Sequence, residues 1–192
     1  MSYPLSHGII LPKCRLADVS VLKKRYKRIF EANQLSRDQI LGYLEKRFKG
    51  HDLARLVDAV LRAEGYVTLF SEPGADGGVD ILAGQGMLGF DGPKLCVQVK
   101  SSQSSADVRI LRELQGSMAT FKADQGLLVS WGGFNNPVIK EARQSFFSVR
   151  LWDADNLVEA LLNNYDLLSE DLKSELPLKR IWALVPEESD MA

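Results

Sequence analysis

A chain of 192 residues, 45% of them hydrophobic, is long enough to bury one good core and to carry an appendage. It has no run of 18 apolar residues and no basic start followed by an apolar stretch, which excludes a membrane helix and a signal peptide and predicts a soluble, cytoplasmic protein. Two cysteines, Cys14 and Cys96, and two histidines, His7 and His51, leave little material for a zinc centre, a disulfide framework or a Ser-His-Asp triad.

The net charge of -1 hides an asymmetry. Residues 1 to 50 hold 11 Lys/Arg against 4 Asp/Glu, a net +7, while residues 51 to 192 hold 13 against 21, a net -8. Lys23, Lys24, Arg25, Lys27 and Arg28 fall in Val19 to Phe30, whose spacing predicts a short basic amphipathic helix. Such an arm can hold DNA phosphates, although a solvated helix face is the commoner meaning of a charge run taken alone. Ser36, with Gln39 three residues on, predicts the start of a second helix to about Phe48, which Gly50 interrupts. From His51 to Glu64 the apolar residues Leu53, Leu56, Val57, Val60 and Leu61 recur at helical spacing, and Gly65 is placed to end that helix.

Three strands are expected next, over Tyr66 to Phe70, Gly78 to Ala83 and Leu95 to Lys100, separated by Gly/Pro loops at Ser71 to Gly77 and Gly84 to Pro93. Asp107 to Phe121 has helical spacing, Gly126 to Ser130 is a short apolar strand, Pro137 to Phe147 is helical and Val149 to Trp152 is a strand. Asp153 is a natural cap for a helix to about Asn163, and the acidic tail from Asp166 reads as partly helical, then extended near Ile181 to Val185. The order αβββαβαβα predicts an α/β sandwich, a mixed sheet flanked by helices. The expected divisions are a basic helical extension over 1–49, a catalytic core over 50–165 and a tail over 166–192 that packs on it.

Gln98 and Lys100 alternate with Val97 and Val99, so they share one face of a strand, and Asp80 lies in the strand before it. If the two strands are neighbours, a carboxylate, an amide and an ammonium converge at one end of the sheet. A hard divalent cation such as Mg²⁺, which takes carboxylate and amide oxygens and keeps waters for a substrate phosphate, would satisfy such a group, and Lys100 could hold or deprotonate the attacking water. From spacing alone, a solvated strand face with Asp80 capping a turn is an equal reading.

The string Asp76-Gly77-Gly78-Val79-Asp80-Ile81, then Val97-Gln98-Val99-Lys100, preceded by Leu53 to Leu61 and Gly65-Tyr66, resembles the Mrr-like restriction endonuclease family of the PD-(D/E)XK nuclease superfamily. The resemblance continues through Leu114-Gln115-Gly116, Gly126 to Ser130 and Leu151-Trp152-Asp153, covering roughly residues 50 to 163. It implies a restriction-endonuclease-like sandwich and an endonuclease, dependent on Mg²⁺ or Mn²⁺, that restricts foreign, often methylated, DNA. By the same resemblance Asp80 is the metal-binding aspartate, Gln98 stands where the superfamily has a second acid, and Lys100 is the catalytic lysine. The family's first-helix glutamate falls at Ala54 here. Asp58 or Asp52 could stand in for it, Asp76 could add a contact from its loop or serve only as a turn residue, and Gln115 could approach the centre; the residues do not choose among these. The alternative, motivated by Ala54, is a DNA-binding or interaction module that keeps the fold without cutting. Cutting both strands suggests two centres and hence a homodimer.

Other signals read as structural. Gly84-Gln85-Gly86-Met87-Leu88-Gly89 fits G-x-G-x-x-G after a strand, but another strand follows where a helix would have to hold a pyrophosphate, so it reads as a loop, with a chance of reaching a DNA groove. Trp131 to Asn136 reads as a Gly-rich turn with Trp131 on the core. Arg109, Arg112 and Lys122 could meet phosphates or form a solvated face. His51 reads as a helix-start residue, because no second His or Cys lies at ligand spacing.

Overall fold

The computed structural model describes residues 34–71 and 78–180, and residues 39–180 form one compact unit. The expected basic helix with Lys23 to Arg28, the loop residue Asp76 and the extended segment from Ile181 lie outside the described residues.

Helix α1 spans 34–47 and buries Leu44, with Phe48 buried just beyond it. Ser36 sits inside this helix and not at its cap, because a Ser followed by Gln marks a start only where the preceding residues leave helical geometry. Helix α2, His51–Ala63, turns the expected stripe inward: Leu53, Leu56, Val57, Val60 and Leu61 are almost wholly buried. Each such side chain contributes roughly 1.5–3 kcal/mol relative to exposure, before the entropy of ordering it is subtracted. The helix closes where Gly65 N donates to Arg62 O and Tyr66 N to Leu61 O, the paired bonds of a Schellman cap.

The sheet is ordered β1-β2-β3-β4-β5, with β1 Val67–Phe70, β2 Ile81–Gln85, β3 Asp91–Lys100, β4 Gln125–Ser130 and β5 Val149–Trp152. The β1–β2 and β2–β3 pairs are antiparallel, the β3–β4 and β4–β5 pairs parallel. Helices α3 (Val108–Phe121) and α4 (Asn136–Gln144) are the crossovers of the parallel half. Two crossovers of one hand that step the same way along a sheet must cover the same face. Leu111, Leu114, Val138 and Ala142 accordingly pack together with Cys96 and Leu128 on one side. On the other side α2 and α5 (Ala154–Asn164) bury Val97, Val99, Leu127 and Val129. A 3-10 turn, Tyr165–Leu167, leads to α6 (Glu170–Glu175), and Leu168, Leu172 and Leu176 join that second core.

The elements follow the expected αβββαβαβα order, with two shifts. Helix α4 stops at Gln144 and not Phe147, and the β2–β3 hairpin is longer than its Gly/Pro content suggests. Residues 84, 85 and 91–94 belong to the strands, and Gly92–Pro93 is a cis peptide. The ladder is irregular here, since Ala83 pairs with Leu95 but Gln85 pairs with Asp91. A bulge of this kind tolerates a proline without an N–H inside a strand. The G-x-G-x-x-G pattern is the hairpin itself: a Cβ at Gly84 would lie 2.0 Å from Gly89 O, and Gly86 and Gly89 turn the chain with φ of 78° and 76°. The tip sits at the opposite end of β2 and β3 from Asp80 and Lys100, so the motif holds no pyrophosphate and does not face the chemistry.

Candidate active site

Asp80 stands immediately before β2 and is held by three hydrogen bonds. Its N donates to Val97 O at 2.9 Å, its carbonyl accepts from Ser71 N at 2.9 Å, and Oδ2 accepts from Val99 N at 2.7 Å. Ile81 pairs with Val97, so the antiparallel register sets Asp80 opposite Gln98. Val97 and Val99 enter the α2/α5 core, and by alternation Gln98 and Lys100 take the α3/α4 face, beside Leu128 and Ser130 in the parallel register. Asp80 and Lys100 therefore stand together where β3 ends, while Gln98 lies opposite Asp80 in the register but is not among the residues that line the cleft there.

Gln98 is 1% exposed, and its Oε1 has no hydrogen-bond partner among the described residues. An unpaired buried oxygen costs about 1–3 kcal/mol, which argues for a partner brought by function. Gly78 has φ of 69°, a left-handed conformation that favours glycine, and it packs against the Gln98 amide. Asp80, Val99 and Lys100 line an open cleft of about 350 Å³ together with Gly50, His51, Ser101 and Ser102. Burial raises the Asp80 carboxyl above the usual range, opposed by the Val99 N–H and by the charges of Lys100 and His51.

The remaining sequence candidates are placed elsewhere. Ala54 is 2% exposed within the α2/α5 core. Asp58 is buried and pairs with Arg62 at 2.8 Å, Asp52 pairs with Arg55 at 3.6 Å, and neither lines the cleft. The Gln115 amide donates to Ser145 Oγ at 3.0 Å, beyond the last turn of α4, and is not among the cleft residues. Arg109 pairs with Glu113 and Arg112 with Glu141, which satisfies them on the helix surface. Trp131 packs against the α2/α5 core, as expected of a turn aromatic. Cys96 is a buried free thiol pushed up to about 11 by burial, so it stays protonated. His51 is the first residue of α2, as read, but it also lines the cleft, its ring 4.4 Å from that of Phe70.

The sequence profile of a restriction endonuclease family, the Mrr catalytic domain, matches residues 45–161, from the end of α1 through most of α5. The chain belongs to this restriction endonuclease family. The cleft of the Mrr-type domain, from Gly50 to Ser102, falls wholly within the matched range. No curated protein matches the chain. Among solved structures, the Mrr-type chain is similar to the DNA modification-dependent restriction endonuclease AspBHI, with a TM-score of 0.56 and 15% identity over 73% of this chain and 38% of that one. A second similar structure, the MspJI restriction endonuclease in complex with a 27-mer oligonucleotide, has a TM-score of 0.42 and 18% identity over 91% of this chain and 40% of that one. The chain thus spans about two fifths of the length of each. No described helix of the Mrr-type domain is long and apolar enough to cross a membrane.

Proposed function

We propose that this chain hydrolyses phosphodiester bonds of duplex DNA with Mg²⁺ or Mn²⁺, as part of the restriction of foreign DNA, methylated or not. The observation that carries this reading is the placement of Asp80 and Lys100 on one cleft at the end of β3, with Gln98 opposite Asp80 in the register and its amide oxygen buried without a partner among the described residues. Among the described residues no cluster of three His, Cys, Asp or Glu side chains is present, so the reading relies on one carboxylate and one amide oxygen. The oxygen set of Asp80 Oδ1 and Gln98 Oε1 suits a hard cation that keeps most of its waters. When bound, such an ion supplies Lewis-acid activation of water and offsets charge on the phosphate.

The chain's own residues do the rest. Val99 N–H pins Asp80 Oδ2, which fixes the direction of the other carboxylate oxygen. Gln98 offers a neutral oxygen whose orientation is set by burial. Lys100 holds the attacking water and lowers the cost of its deprotonation beside the phosphate. Lys23, Lys24, Arg25, Lys27 and Arg28 are assigned to sequence-independent phosphate contacts.

One observation favours a second reading, a DNA-binding module that does not cut: among the described residues Asp80 is the sole carboxylate lining the cleft. Cleavage of methylated and unmethylated plasmid, with Mg²⁺, Mn²⁺ or chelator, separates the two. Wild type should cut only with metal, and Lys100→Ala should cut about 100- to 10,000-fold more slowly. Binding without cutting under every condition supports the second reading. In the same assay a homodimer with two centres should give linear product with little nicked intermediate.

A further inference from the structure

Lys100 and the proposed metal ligands all come from the β2–β3 ladder, yet the cleft has a second wall, the start of α2. His51 stands there, the one histidine among the described residues. Its ring is tilted by 33° against that of Phe70, with centroids 4.4 Å apart, a contact that fixes the plane of the imidazole before any ligand arrives. The residue is half-buried. The acids nearby in sequence do not compete for it, since Asp52 is turned to Arg55 and Asp58 to Arg62.

We infer that His51 is a further catalytic residue of the cleft, its imidazole N–H donating to a non-bridging oxygen of the scissile phosphate. The diester carries its charge on two such oxygens, and Lys100 reaches the site only from β3; a donor on α2 grips the phosphate from a separate wall and fixes its orientation for attack. A metal ligand is the poorer assignment, because the oxygen donors select a hard cation, for which imidazole nitrogen is a weak choice. This inference rests on the nuclease reading.

Three variants test it in the full chain. His51→Phe keeps an aromatic ring on Phe70 without a donor, His51→Gln keeps a donor without the ring, and His51→Ala removes both. Each is followed by single-turnover cleavage across a Mg²⁺ titration, by DNA affinity from fluorescence anisotropy with Ca²⁺ in place of the catalytic ion, and by thermal melting. The expected result is a loss of cleavage rate of about 10- to 100-fold, with weaker DNA binding, in His51→Ala and His51→Phe and substantial recovery of both in His51→Gln. Two results overturn it. One is wild-type rate and affinity in His51→Phe, which would make His51 a packing residue. The other is restoration of the His51→Ala rate by excess Mg²⁺, which would make it a metal ligand. If the wild type itself does not cut, the nuclease reading fails, while the affinity of the three variants still decides whether His51 meets phosphate.

Discussion

Asp80 is under opposing demands. Burial favours its neutral form, while the Val99 N–H, Lys100 and His51 favour the anion, and burial prevails, so its folded pKa lies above the unfolded one. A carboxyl shifted that way destabilises the fold when ionised, and the cost is relieved as pH falls through the raised pKa. Asp80→Asn keeps the shape and an acceptor for the Val99 N–H but removes the charge. At neutral pH in chelator this variant should melt above the wild type, whereas Mg²⁺ should raise the melting temperature of the wild type alone; differential scanning fluorimetry reads both. Loss of cleavage together with a gain in stability would separate a functional charge from a structural one. At this scale strand alternation was enough to put Gln98 and Lys100 on one face, because period two is local, but the family resemblance and not the spacing singled them out together with Asp80. The fates of Asp52, Asp58 and Gln115 were not legible, since each is settled by a partner that packing supplies, Arg55, Arg62 and Ser145.

Elements at the end of the core show where stability comes from. Helix α6 is bound to α2 by the fork of Arg55 on Glu175, at 3.0 and 2.9 Å, and Tyr43 donates to Glu175 O at 2.7 Å. The Arg55 side chain is 39% exposed, so solvent screens much of this pairing. Leu176 is fully buried and carries more. Leu176→Ala should cost about 2–5 kcal/mol in urea unfolding, while Glu175→Gln should shift the midpoint far less. Periodicity gave α2, α3, β5 and α5 almost to the residue, and Asp153, read as a cap, does cap α5 through its own side chain. The β2–β3 hairpin was misjudged for a physical reason: glycine and proline usually mark loops, but a bulge lets both sit in a ladder. Ser36 was misjudged because a cap depends on what precedes it.

The whole molecule joins an antiparallel meander to a parallel βαβαβ half, and β3 belongs to both. Its last residues therefore carry the cleft at the junction, supported by a helix layer on each face. The charge pattern belongs to this scale too. Residues 1–33 hold 7 Lys/Arg against 2 Asp/Glu. A chain lacking them should bind DNA more weakly and with a shallower dependence of affinity on salt, measured by anisotropy between about 50 and 200 mM. Unchanged affinity and slope would assign the basic run to a solvated face. The hairpin tip has a consequence of another kind. Met87, Leu88 and Phe90 are largely exposed there, a strand's length away from Asp80 and Lys100. Lengthening, shortening or recolouring that tip leaves the register at Ile81 and Val97 untouched, so one pole of the sheet can be rebuilt without moving the residues at the other.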